Sequence, residues 1–203
     1  ERYGMTETNM NTSNPYDGAR VAGTVGYPLP GCEVKITNPE TAETLPKGEI
    51  GMIEVRGENV FQGYWNMPEK TAEEVRENGF FLTGDLATED EDGRITIVGR
   101  AKDLIISGGY NIYPKEVEDV LNELAEVEES AVYGVPHADF GESVIAAIVP
   151  TNGAQIDVDA LRGTVEAQLA RFKHPRDYIV MDALPRNTMG KVQKNILRDS
   201  YGQ

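Results

Sequence analysis

The chain has 203 residues, with 19 Lys and Arg against 34 Asp and Glu, a formal net charge of −15 at pH 7. That balance argues against a nucleic-acid binder, because phosphate backbones are held by a basic face whose binding releases counterions. A hydrophobic share of 39% with 26% charged residues excludes disordered and collagen-like chains and fits one large or two small globular domains.

No apolar run approaches the ~20 residues of a membrane helix. The opening Glu1-Arg2-Tyr3-Gly4-Met5-Thr6-Glu7 has neither the basic nor the apolar region of a secretory signal, so the expectation is a cytoplasmic protein without a membrane partner. The chain starts on a turn-like Tyr-Gly without Met, which reads as a piece of something longer. From Arg20 to Gly99, short β-prone stretches are punctuated by Gly and Pro. Val34-Lys35-Ile36-Thr37 and Gly51 to Arg56 alternate as half-buried strands, and Phe80 to Val98 reads as a hairpin turning at Asp92-Gly93. Pro68 opens a short helix with acids in its first turn.

Beyond Arg100 the texture changes. Pro114 begins a helix with Val117, Val120, Leu121 and Leu124 on one stripe. Strands follow at Ser130–Val135 and Ser143–Val149, and Asp157 caps a helix carrying Val158, Leu161, Val165, Leu169 and Phe172. A strand near Ile179 and a short helix near Asn195 complete the tail. The reading is α+β: a small β-rich subdomain of distorted-barrel type over residues 1–101, then a compact α+β domain over 102–203. Charge is uneven: Lys115 to Glu129 holds seven acids and one base, Arg171 to Arg198 seven bases and two acids. A basic stretch in an acidic protein marks a candidate anion site.

Several motifs carry chemistry. In Tyr3-Gly4-Met5-Thr6-Glu7, a turn glycine precedes a hydroxyl and a carboxylate that suit a phosphate and its Mg²⁺, or form a solvated turn. Asp85, in Thr83-Gly84-Asp85 at the end of an apolar strand, suits ribose hydroxyls or a strand-end turn. Asp90-Glu91-Asp92-Gly93 lacks the first and last acids of a calcium loop, since Thr88 and Gly99 stand in the required places. Gly99-Arg100-Ala101-Lys102-Asp103 with Ser107-Gly108-Gly109-Tyr110 reads as a ligand-approaching loop or a salt-bridged linker with a hairpin turn. Pro185 to Lys194 contains Gly190-Lys191 but no phosphate-cradling loop, because Pro185 and Val192 replace the required Gly and Ser/Thr. Lys191 remains a mobile point charge or an exposed lysine. Cys32 reads as structural, without zinc partners, and His137 as a ligand contact or a loop residue capped by Asp139.

In order and spacing, Tyr3–Glu7, Gly48-Glu49-Ile50 with Arg56-Gly57 and Gly63-Tyr64-Trp65, Thr83-Gly84-Asp85, Gly99–Glu118 and Pro185–Lys194 together resemble the AMP-forming acyl-CoA synthetase superfamily, across essentially all 203 residues. The resemblance implies that Tyr3 stacks on adenine, Thr6 meets the α-phosphate, Glu7 helps hold Mg²⁺, and Asp85 and Arg100 take the ribose. It implies a hinge at Lys102 and a coenzyme A loop at Ser107, Gly108, Gly109 and Tyr110. Lys191 is then the catalytic lysine and a target of a protein lysine acetyltransferase, which would neutralise it. The implied reaction joins ATP and a carboxylic acid as an acyl-adenylate, then transfers the acyl group to coenzyme A. The stretch Glu7–Tyr16 with Gly23–Gly26 resembles members acting on malonate or methylmalonate.

The superfamily's Gly/Ser/Thr-rich phosphate loop should precede Tyr3. Its absence gives the expectation of a C-terminal fragment whose partner is the missing N-terminal portion, inactive alone. An adenylation domain loading a carrier protein and a non-catalytic module serving a lysine acetyltransferase are the alternatives.

Overall fold

The computed structural model describes residues 1–202. Two compact units divide the chain, one ending at Ala101 and one beginning at Lys102. The first unit is almost all β. Strands β1 (Arg2–Met5), β2 (Asn9–Ser13) and β3 (Tyr27–Pro28) form one antiparallel sheet. A second sheet runs β4 (Cys32–Thr37), β5 (Gly51–Gly57), β6 (Phe81–Glu89) and β7 (Ile95–Arg100) as a meander, with α1 (Pro68–Glu74) between β5 and β6. Both sheets are open, so the expected barrel does not close among the described residues. Alternation sends Ile36, Ile53, Ala87 and Ile95 into a core shared with Val25.

Gly4 is not in a turn: it lies within β1 at an irregularity in the pairing with β2. A Cβ there would stand 2.0 Å from the Asn9 carbonyl oxygen, so close backbone approach requires glycine. Asp85 likewise sits in mid-strand rather than at a strand end, because Gly84 takes a positive φ of 73° and lets β6 bend and continue.

In the second unit, β8 (Ile105–Ser107) and β9 (Tyr110–Ile112) form a hairpin across Gly108-Gly109, whose φ values of 58° and 81° suit a tight turn. Then come α2 (Pro114–Asn122), β10 (Val127–His137), β11 (Gly141–Pro150), α3 (Val158–Gln168), β12 (Asp177–Val180) and α4 (Lys194–Ser200). The sheet order is β10-β11-β8-β9, with β12 parallel to β11. Strands β10 and β11 are buried on both faces. Val132, Val144, Ala146 and Ile148 pack with Val117, Leu121, Leu161 and Val165 of α2 and α3, while Ala131, Tyr133, Ile145 and Ala147 meet Leu184 and Leu197. Two-sided burial explains the unbroken apolar run at Val144–Val149.

The Asp157 carboxylate caps α3, accepting from Asp159 and Ala160 N–H groups. The helical stripe ends earlier than its spacing suggests: Leu169 is extended, and Phe172 lies in a 3₁₀ turn, partly exposed. No helix among the described residues is long and apolar enough to cross a membrane.

Candidate active site

In the first unit, three residues far apart in sequence converge. Antiparallel register sets Asp85 of β6 opposite Arg100 of β7, and the Arg100 Nε lies 2.8 Å from Asp85 Oδ1. Tyr3 of β1 donates its hydroxyl to Asp85 Oδ2 at 2.6 Å. The Asp85 backbone N–H is held by Thr83 Oγ1 at 3.1 Å, and Thr83 donates to the Ile53 carbonyl. Burial first, and the facing Asp85 charge second, push the Tyr3 phenol well above its ordinary value, so it remains a hydrogen-bond donor. The cluster is a fixed carboxylate beside an aromatic ring and a half-exposed guanidinium, a donor and acceptor set suited to a sugar hydroxyl pair and a base.

Thr6 and Glu7 occupy the turn after β1, with Thr6 exposed and Glu7 half-buried. Glu7 is fastened by elements the motif reading did not weigh: its carbonyl accepts from Phe61 N at 2.7 Å and its Oε1 lies 3.2 Å from Tyr64 Oη. Tyr64 also reaches Glu74 Oε2 of α1 at 2.6 Å, and its phenol is raised by desolvation and by these two carboxylates. Among the described residues no group of three or more His, Cys, Asp or Glu could hold a metal ion. A single carboxylate such as that of Glu7 is the kind of oxygen donor a hard cation takes beside phosphate oxygens and water.

In the second unit, Ser107, Gly108 and Tyr110 of the β8–β9 hairpin line a cavity of about 630 Å³ with Phe140, Phe172 and Arg176. Gly109 occupies the hairpin turn. The hairpin is tied down by Gly108 N to Phe140 O at 2.8 Å and Ser107 Oγ to Glu142 O at 2.6 Å. Tyr110 stacks on Phe172 at 4.6 Å, and Arg176 lies over the Phe140 ring at 4.7 Å. His137 is not capped by the Asp139 carboxylate. The Asp139 backbone N–H approaches its Nδ1 at 3.2 Å, and Arg176 Nη1 lies 2.7 Å from its Nε2.

Lys102 sits in a 3₁₀ turn, Ala101–Asp103. Of the two readings of this stretch, the internally salt-bridged linker does not form, since Arg100 meets Asp85 and Asp103 meets Arg198 at 3.6 Å. Lys102, Lys191, Lys194 and Arg198 line one cleft of the second unit. Lys191 is exposed on a loop, whereas Lys194 is held by Glu118 at 2.6 Å. The sequence signals that reach Tyr64, Arg176 and Phe172 are the Gly63-Tyr64-Trp65 signature, the basic tail and a hydrophobic stripe. None of these signals says which partner each side chain meets.

Comparison with known proteins bears on the family and the fold. A family model described as AMP-binding enzyme matches residues 1–65, and one described as AMP-binding enzyme C-terminal domain matches residues 116–191. A malonate–CoA ligase of Arabidopsis thaliana is 42% identical over 98% of this chain and 34% of its own length. A feruloyl-CoA synthase of an Amycolatopsis species is 43% identical over 98% of this chain and 41% of its own. The crystal structure of ATP-bound MatB from Rhodopseudomonas palustris is 60% identical, with a TM-score of 0.94 over 98% of this chain and 40% of that one. The chain thus spans roughly two fifths of the length of these relatives.

Proposed function

The chain belongs to the AMP-binding enzyme family, and from that premise we propose that the whole protein is an acid–CoA ligase forming an acyl-adenylate from ATP and a short dicarboxylic acid. The observation carrying this reading is the convergence of Tyr3, Asp85 and Arg100. Tyr3 offers its ring to adenine, Asp85 takes the ribose hydroxyls with help from Arg100, and Thr6 meets the α-phosphate. Glu7 would hold Mg²⁺, which neutralises phosphate charge when bound.

In the first half-reaction the acid's carboxylate oxygen attacks the α-phosphorus as the bond from that phosphorus to the bridging oxygen breaks, and pyrophosphate leaves with that oxygen and the electron pair. Negative charge spreads over the phosphoryl oxygens, and the Lys191 ammonium supplies the opposing charge. Losing one such preorganised group costs on the order of 10²-fold or more in rate. In the second half-reaction the coenzyme A thiolate attacks the acyl carbon and AMP departs. The Ser107-Gly108-Gly109-Tyr110 hairpin forms the pantetheine path, and the aromatic cavity with Arg176 beside it suits a base and its phosphates. Lys102 serves as the hinge between the two half-reactions. Exposed Lys191 is open to a protein lysine acetyltransferase, whose product would lack the catalytic charge.

Malonate or methylmalonate is the proposed acid, supported by the Glu7–Tyr16 stretch and by likeness to the Arabidopsis malonate–CoA ligase. These 203 residues lack the family's phosphate loop, and alone they should not adenylate. The test is malonate-dependent ATP/pyrophosphate exchange by the whole protein, with acetate and methylmalonate for comparison and Lys191→Ala as control. Exchange with malonate that Lys191→Ala abolishes supports the reading; exchange that survives Lys191→Ala, or none with either dicarboxylate, refutes it.

A further inference from the structure

Lys191 is held through its backbone N–H and carbonyl, and the loop beneath it is fastened at several points. Its base is a small hairpin: Arg186 bridges Val192, Gln193 N donates to Pro185 O at 2.8 Å, and Asn187 N donates to Lys191 O at 3.0 Å. Leu184 and Val192 anchor that base in the core beside β10 and β11. At the tip, Asn187 Oδ1 accepts from both Met189 N and Lys191 N at 3.0 Å. Gly190 closes the turn with a φ of 78°.

One side chain connects this tip to the sheet. Arg186 donates through Nη1 to the Gly190 carbonyl at 2.7 Å, the residue immediately before Lys191, and through Nη2 to Glu129 Oε2 on β10. A planar guanidinium with two contacts fixes both the direction and the distance of what it holds. Glu129 and Arg186 lie 57 residues apart, and both are partly exposed, at 30% and 43% of their side chains. Ion pairs that exposed add little to stability, so the pair is poorly explained as a fastener of the fold. It is well explained as a fastener of one loop.

We propose that Arg186, locked by Glu129, is a positioning residue for Lys191: it holds the Gly190 carbonyl so that the lysine stem leaves a fixed platform. The inference rests on the reading of Lys191 as the adenylation lysine. It acts through geometry, because a displacement of about 1 Å in a catalytic group can cost ~10²-fold in rate.

The test uses the whole protein carrying Arg186→Ala, Arg186→Lys, Glu129→Gln, the reversed pair Glu129→Arg with Arg186→Glu, and Lys191→Ala. Peptide-resolved hydrogen exchange over residues 186–192 is read first, without reference to activity. Arg186→Ala should speed exchange there, with little change in melting temperature. ATP/pyrophosphate exchange is then read as kcat and KM. The expected result is a fall in kcat of about tenfold or more for Arg186→Ala with KM little changed. Arg186→Lys should be intermediate, since an ammonium cannot reproduce the fork, and thioester formation from supplied acyl-adenylate should be unaffected. Glu129→Gln keeps an oxygen acceptor and should lose less than Arg186→Ala, whereas the reversed pair, which restores the ion pair but not the Gly190 contact, should not recover kcat.

Unchanged hydrogen exchange in Arg186→Ala overturns the clamp. Looser exchange with wild-type kcat, while Lys191→Ala is inactive, overturns positioning but leaves the reading of Lys191 intact. A fully active Lys191→Ala overturns the reading of Lys191 and the inference with it.

Discussion

Glu54 of β5 is fully buried, and its carboxylate is held by one hydroxyl, Thr37 Oγ1 at 2.7 Å, and two cations, Arg76 Nε at 2.8 Å and Lys35 Nζ at 3.0 Å. Arg76 belongs to the turn that leads into β6, so this network bears on the strand carrying Asp85. Replacing Glu54 with Ala strands two cations whose side chains are only 19% and 25% exposed. Breaking a buried pair in this way costs about 3–5 kcal/mol. Some water reaches Lys35 and Arg76, which favours the lower end, about 3 kcal/mol. At ~4–8 °C per kcal/mol for a unit near 100 residues, the melting point of the first unit should fall by on the order of 10–20 °C. Scanning calorimetry and urea titration of the 203-residue chain measure it, with Glu33→Ala as a control that removes an exposed partner of Arg56 and should shift the melt little. A pH series adds a second constraint. Burial by itself would raise the Glu54 carboxyl, but hydrogen bonds from Thr37, Lys35 and Arg76 outweigh it and hold it below the ordinary value. The stabilisation is therefore full above the unfolded pKa, near ~4.3, and is lost as pH falls through the lower folded value. Glu54→Ala should lack that acid limb. A loss under about 1 kcal/mol, or an unchanged acid limb, would refute the reasoning.

Tyr3→Phe removes a hydrogen bond to a carboxylate, worth about 1.5–3 kcal/mol, and should raise the KM for ATP on the order of tenfold in steady-state assays of the whole protein. Because burial and Asp85 push the Tyr3 phenol upward, wild-type ATP affinity should show no tyrosine titration up to about pH 10. Phe172→Ala removes the stack on Tyr110, and should raise the KM for coenzyme A by about tenfold while leaving ATP/pyrophosphate exchange intact. Gly4→Ala would force a methyl against the Asn9 carbonyl, and urea titration should show a loss of about 1–3 kcal/mol.

The strands at Val34–Thr37 and Gly51–Arg56, the hairpin through Asp92-Gly93, the Asp157 cap and the Gly108-Gly109 turn were legible because each depends on a few adjacent residues. A two-residue period, a carboxylate able to reach nearby N–H groups, and a glycine free to take positive φ act locally. The same local rules misread Phe172. Its spacing from Leu169 continues the α3 stripe, but the backbone becomes extended at Leu169 and the ring stacks on Tyr110, 62 residues earlier. They misread Gly4 and Asp85 too, since the close approach of Asn9 and the bend at Gly84 exist only once strands have paired.

The order of motifs carried the family, and the roles proposed for Tyr3, Thr6, Glu7, Asp85, Arg100, Lys191 and the loop at Ser107–Tyr110 follow from that resemblance. What the sequence alone determined was therefore the inventory of chemical groups and the local frames presenting them. The folded chain decided the pairings: Tyr3 with Asp85 across 82 residues, and Tyr64 with Glu7 and Arg186 with Glu129 across 57 each. Such pairs have no sequence period, because their partners are brought within hydrogen-bond distance by the burial of other residues, and only the packed core sets which oxygen faces which proton.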